Sequence, residues 1–198
     1  MRDRWYADNR DLVKWGVLLT LAERYEVRHI LQVLYYRRTD WAPLLVGGKD
    51  VKLPETVIRH FRRAASISTI DAPCPVDVVP DTFADRAEYH RLVISRIQSR
   101  AETPGIVFLD PDTGLEPRVP TLDHVLNTEL AELWQVLQAG DVLVFYQHQT
   151  NRNGAPWVGS KKEQFERALG IPVGAAGLAQ SENIARDVVL LYAQKTGC

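Results

Sequence analysis

The stretch Gly105-Ile106-Val107-Phe108-Leu109-Asp110-Pro111-Asp112-Thr113-Gly114-Leu115-Glu116-Pro117 decides the fold. Its first half is an unbroken apolar run, and continuous rather than alternating apolarity is what a strand covered on both faces shows. Its second half turns abruptly to Asp, Pro and Gly. An Asp that terminates a buried strand is held rigidly, Pro111 fixes the turn and lacks a competing N–H, and Asp112 with Gly114 suits a tight turn. In an open α/β sheet the ligand crevice lies outside the carboxyl ends of the strands, which is where Asp110 falls. An Asx-type turn that merely ends the strand would use the same residues.

Working outward, Val142-Leu143-Val144-Phe145-Tyr146 is a second fully apolar strand, ending in Gln147-His148-Gln149. Phe145 and Tyr146 read as core, one facing each helix layer. Ile30–Tyr36 is short and rich in β-formers and reads as the first strand, running into Arg37-Arg38. Val188–Ala193 closes the chain as a last strand, and Ser66–Ile70 or Val76–Val79 supplies a short one among the prolines at 73, 75 and 80. Between these lie helical patterns. The first spans about Asn9 to Arg24, capped by Asp8 or Asn9, with Leu12, Val13, Val17, Leu18 and Leu21 as its apolar stripe. Others start at Pro54, where a missing N–H is harmless, and span about Asp85 to Arg100, Leu122 to Leu137 and Lys161 to Leu169. Val46–Asp50, Thr150–Gly159 and Gly170–Gly177 read as loops, and Asn151-Arg152-Asn153-Gly154 could serve as a lid or be an ordinary loop. Strands alternating with helices predict an α/β chain, a three-layer Rossmann-like fold with a mostly parallel sheet, residues 1–198 forming a single domain.

The 198 residues, 45% hydrophobic and 25% charged, are ordinary for a globular protein. No apolar run approaches the ~20 residues that cross a bilayer. Met1-Arg2-Asp3-Arg4-Trp5-Tyr6 has no apolar signal-peptide core. Two cysteines without a CxxC indicate neither a disulfide framework nor a structural zinc site. A cytoplasmic protein is expected. The net charge of −1 conceals local clusters. Arg59, Arg62 and Arg63, and Lys161 and Lys162, could meet the phosphates of a nucleic acid or be solvated helix faces.

The chemistry readable from the residues has several branches. Asp110, Asp112 and Glu116 offer hard oxygen ligands of the kind Mg²⁺ accepts. With His148 they would suit a metal-dependent nuclease or phosphohydrolase. A strand-end histidine can also act as general base, or simply be hydrogen-bonded within its own turn. Arg10 and Lys14 share one face of the first helix, so Lys14 is either an exposed charge or a partner for a group at the crevice.

Leu109-Asp110-Pro111-Asp112 resembles the strand-four motif (Asp/Asn)-Pro-Pro-(Tyr/Phe) of class I, Rossmann-like amino-methyltransferases. Asn9-Arg10-Asp11-Leu12-Val13-Lys14-Trp15 is loosely similar to the opening of the ribosomal-RNA adenine N6-methyltransferase family. The D-x-x-K-W-G opening, the Asp-Pro-Asp-x-Gly-Leu-Glu turn and the Tyr-Gln-His strand end together resemble a little-described group of bacterial proteins. The resemblance implies S-adenosylmethionine as cofactor and a nucleic-acid base or related amine as acceptor. Asp110, Asp112 and His148 would be catalytic, with Asp110 orienting the amine. Tyr36, Asp40, Asn9 and Lys14, with Tyr35 nearby, would bind the cofactor. The chain departs from the pattern in two places. No glycine follows the first strand before Gly47, and Asp112 and Thr113 replace the second Pro and the aromatic residue. A catalytically inactive Rossmann-like binding module is the alternative from a different class.

Overall fold

The computed structural model describes residues 8–38, 43–61, 64–149, 151 and 156–197, without the side chains of 59–61, 64 and 65. The expectations for Asp40, Arg62 and Arg63, and for the Arg59 side chain, lie outside what is described.

Helix α1 is Asn9–Arg24. Asp8 caps it, its carboxylate accepting from the Arg10 and Asp11 amides at 2.8 and 3.2 Å, which satisfies two donors that have no partner within the helix. Its buried face carries Asp11, Val13, Lys14, Trp15, Leu18, Leu21 and Ala22. Leu12, expected on the apolar stripe, is instead 63% exposed. The helical period puts Leu12 on the side of the helix opposite Lys14 and Leu21.

Strand β1 is Ile30–Val33, shorter than expected because Tyr35 turns into the left-handed region, φ +46°. Leu44–Val46 and Lys49–Val51, partly read as loop, form a two-stranded hairpin, β2 and β3. Helix α2 (Glu55–Phe61) follows Pro54, and a 3₁₀ helix at Ala64–Thr69 occupies one of the two stretches considered for the next strand. The strand itself, β4, is Val76–Val79. Helix α3 is Arg86–Gln98, capped by Asp85, and β5 is Ile106–Leu109. Two short parallel strands, β6 (Gly114–Leu115) and β7 (His124–Val125), fold the motif loop back on itself. This pushes the start of helix α4 to Asn127, and it ends at Val136. Strand β8 is Val142–His148, α5 is Val158–Leu169, and β9 (Gly177–Gln180) and β10 (Val188–Gln194) complete the chain.

The main sheet runs β4-β1-β5-β8-β10-β9. The first four strands are mutually parallel, and β10 lies antiparallel to both β8 and β9. Alternate residues of each strand feed two cores. On one face Val33, Val107, Leu109 and Phe145 meet α3, α4 and α5 through Tyr89, Leu130 and Phe165. On the other, Ile30, Phe108, Val144 and Tyr146 meet α1 and the 3₁₀ helix through Trp15, Leu18 and Ile67. The protein is therefore an α/β sandwich of three layers around a mostly parallel sheet, as the alternation of strands and helices predicts. Phe145 and Tyr146 do face opposite layers.

After β1 the chain goes to β4 on one side, and after β4 it crosses to β5 on the other. The topological switch point thus lies between the carboxyl ends of β1 and β5, the place where such sheets bind ligands.

Candidate functional site

Asp110 follows β5 at that switch point and is fully buried. Its amide donates to the Val33 carbonyl of β1 at 2.9 Å. Its carboxylate is held on two sides. Lys14 Nζ stands 2.8 Å from one oxygen, and Gln32 Nε2 donates to the other at 3.0 Å. Lys14 also reaches Asp11 at 3.0 Å and sits over the Tyr146 ring, 4.4 Å from its centroid. One buried ammonium therefore serves two carboxylates and an aromatic face. Burial alone would lower the Lys14 pKa, but Asp110 and Asp11 outweigh it and hold the lysine charged, above its ordinary value. Burial raises Asp110, against the pull of Lys14 and with the added repulsion of Asp11. One cation between two buried carboxylates cannot neutralise both, so both shifts point the same way.

The rim is built on the same plan. Arg10 donates through Nε to Asp187 at 3.1 Å and through a second nitrogen to the same carboxylate, and it pairs with Asp8 at 3.1 Å. Burial would raise Asp187, but the bonds from Arg10 bring it below its ordinary value. Arg37 donates to both Asp112 and Asp123. His148 spends both ring nitrogens, 3.0 Å from Asp187 and 2.7 Å from the Gln149 carbonyl.

The motif loop is fixed from beneath by Gln147, a buried side chain on β8. Its Oε1 accepts from the Leu115 amide at 2.8 Å and its Nε2 donates to the His148 carbonyl at 2.7 Å. Gly114 has φ +137° and lies so close to Gln147 that a Cβ would overlap it. The Asp-Pro-Asp-Thr-Gly turn and the Tyr-Gln-His strand end are thus two halves of one packed unit.

Above this unit opens a cleft of about 390 Å³ lined by Asp8, Arg10, Lys14, Asp110, Pro111, Asp112, Thr113, Tyr146 and His148, within the usual size of small-ligand sites. Asp110, Asp112, His148 and Lys14 are thereby brought together as expected. Asn9 is exposed and faces a separate shallow depression beside Ile184 and Asp187. Tyr36 does not line the cleft; its carbonyl accepts from Phe83 N at 2.7 Å. Tyr35, expected near the cofactor, is packed in the core against Phe83 and Tyr89, with ring centroids 5.3 and 5.4 Å away.

Glu116 points away from the cleft and accepts from the Asn127 amide at 3.1 Å, capping α4. Among the described residues no three His, Cys, Asp or Glu side chains are placed to hold a metal ion. This corrects the grouping of Asp110, Asp112 and Glu116 as metal ligands: one of the three serves a helix end. Lys162 is bound to the buried Glu166 at 2.8 Å. Lys161 is half-buried and bonds Gln164 at 2.9 Å. Both lysines are thus tied to neighbouring side chains of α5.

Three residues of the site were not singled out from sequence. Gln32 and Asp187 carry no local signal, since Gln32 meets Asp110 from 78 positions away and Asp187 meets His148 and Arg10 from 39 and 177 positions away. In the sequence Tyr146 reads as core alone. It is 4% exposed and lines the cleft, and its hydroxyl has no hydrogen-bond partner among the described residues.

No protein-family model matches this chain, and no curated protein matches it. Among solved structures, a DUF574 family protein from Streptomyces avermitilis aligns at TM-score 0.47 with 12% identity, over 94% of this chain and 82% of the other. A candidate methyltransferase from Thermobifida fusca aligns at TM-score 0.45 with 11% identity, over 96% and 80%. PigF with S-adenosylhomocysteine aligns at TM-score 0.35 with 13% identity, over 91% and 65%. With TM-scores below 0.5, none of these likenesses bears on function. No described helix is long and apolar enough to cross a membrane.

Proposed function

We propose that this chain is a methyltransferase-like protein, acting on an amine of a nucleic-acid base or a related compound, with S-adenosylmethionine as the methyl donor. The observation that carries the reading is the placement of Asp110-Pro111 at the switch point, on the floor of the cleft. A carboxylate fixed from two sides by Lys14 and Gln32 is preorganised to orient an incoming amine rather than to swing. Pro111 and Asp112, the latter tied to Arg37, hold the turn in which that carboxylate sits.

The donor side is less well provided. S-adenosylmethionine supplies an electrophilic methyl group and needs close backbone approach beyond the first strand. There the described residues present Tyr35 and Tyr36, with Tyr35 buried and Tyr36 bonded to Phe83. They do not form a glycine-lined cradle, so no step is assigned to the donor. Lys14 is the one expected cofactor contact among the described residues that lines the cleft.

The Tyr35 turn favours a second reading, a Rossmann-like binding module that does no chemistry. Calorimetric titration with S-adenosylmethionine separates the two. Saturable binding, with methyl transfer to an amine acceptor that is lost in Asp110→Asn, supports the enzyme. Absence of heat at high micromolar concentrations, with the fold intact, leaves the binding module. The metal-dependent nuclease is not put forward, because Glu116 caps α4.

A further inference from the structure

A tyrosine whose ring is packed in the core while its hydroxyl bonds to no described residue and its side chain lines a cleft is placed to meet a ligand. Tyr146 is such a residue. Its ring is fixed on β8 beneath the Lys14 ammonium, and the residue is only 4% exposed although it lines the cleft. Its hydroxyl has no partner among the described residues. Burial raises its pKa, with Lys14 acting against the shift, so the group is a neutral phenol that both donates and accepts. Thr113, in the motif turn, likewise lines the cleft with a hydroxyl that has no partner among the described residues.

The charged groups around them are already engaged. Arg10 binds Asp8 and Asp187, Lys14 binds Asp11 and Asp110, and Arg37 binds Asp112 and Asp123. Each of these three cations serves two carboxylates. A phosphate entering here would have to displace a carboxylate to gain a cation. A neutral polar group has two hydroxyls waiting.

We infer that the hydroxyls of Tyr146 and Thr113 form a ligand-contacting subsite of this cleft, and that the group seated on it is uncharged, an amine, amide or hydroxyl, rather than a phosphate. The inference rests on the reading of the cleft as the acceptor site, but not on the identity of the methyl donor.

The test uses cytosine as a neutral probe carrying an amino group and a carbonyl, and inorganic phosphate as the anionic one, at matched ionic strength. Binding is followed through the amide resonances of Thr113, Gly114, Leu115 and His148. Cytosine is expected to shift these amides and phosphate to leave them unmoved. Tyr146→Phe should weaken cytosine binding about two- to tenfold, the worth of one neutral hydrogen bond. Its melting temperature should match that of the unmodified chain, because no internal bond is lost. Thr113→Val provides an independent reading of the same subsite. Unchanged cytosine affinity in both variants, a lack of cytosine binding at millimolar concentration, or phosphate shifting these amides in place of cytosine would each overturn the inference. Failure of S-adenosylmethionine to bind while cytosine does would instead remove the methyltransferase reading and leave the subsite standing.

Discussion

Gly114 and Gln147 are packed so closely that the glycine has no room for a side chain, and the amide of Gln147 occupies the space a Cβ would take. The contact joins the turn after β5 to the end of β8, and through it the backbone of the motif loop is fixed relative to Asp110.

Gly114→Ala should therefore destabilise the protein. The added Cβ must displace a buried, hydrogen-bonded amide and adopt a positive φ, an expected loss of about 1–3 kcal/mol. Urea unfolding measures it. Gln147→Ala in the same background should relieve much of the clash, so that the two changes are not additive.

Lys14→Met should be more damaging than either. It leaves Asp11 and Asp110 buried without their cation, for which about 3–5 kcal/mol is typical. Adding Asp110→Asn should recover at least half of that loss, since Asp11 in the first turn of α1 keeps the favourable end of the helix dipole. Denaturant midpoints of the single and double variants decide this.

Stability should fall as pH drops below about 6.5. His29 is held below its ordinary value of 6.5 by burial and by Arg100, against smaller opposite effects of Asp141 and Asp77. Arg100 donates to His29 Nε2 at 2.8 Å, which requires the neutral ring. The unfolded chain thus takes up a proton near pH 6.5 that the folded chain refuses until lower pH, and stability is lost through that interval. His124 is depressed by burial as well and adds to the slope in the same direction. Urea midpoints between pH 7.5 and 5 should decline, and His29→Asn should flatten part of the decline.

Glu116→Gln should cost about 1 kcal/mol through the weakened cap on the Asn127 amide. Mg²⁺ or Mn²⁺ should not raise the melting temperature of either form, whereas a metal site would stabilise the fold by mass action.

Strands β5, β8 and β10 are legible in the sequence because their apolar runs are continuous, and the start of α1 because Asp8 is a good cap. The buried face of α1 is not. Asp11 and Lys14 look like solvent-facing residues until Asp110, about a hundred positions away, is seen to lie against them. Leu12 misled for the converse reason. The short strands β6 and β7 were missed because parallel pairs of two residues leave no periodicity to read. Glu116 shared its motif with Asp110 and Asp112 and was grouped with them by proximity in sequence, although the turn at Gly114 sends it toward α4. His148 was correctly placed at the crevice, but its partner Asp187 comes from the far end of the chain. Spacing within the motif could not have revealed that both ring nitrogens are engaged.

We place the ligand of this protein in the cleft above Asp110, at the β1–β5 switch point. Amide chemical-shift mapping with S-adenosylhomocysteine tests this placement most directly. Binding in the cleft predicts saturable shifts at Asp110, Asp112 and Thr113. A titration that reaches millimolar ligand without moving the residues from 110 to 113, or that moves only residues remote from them, would contradict it.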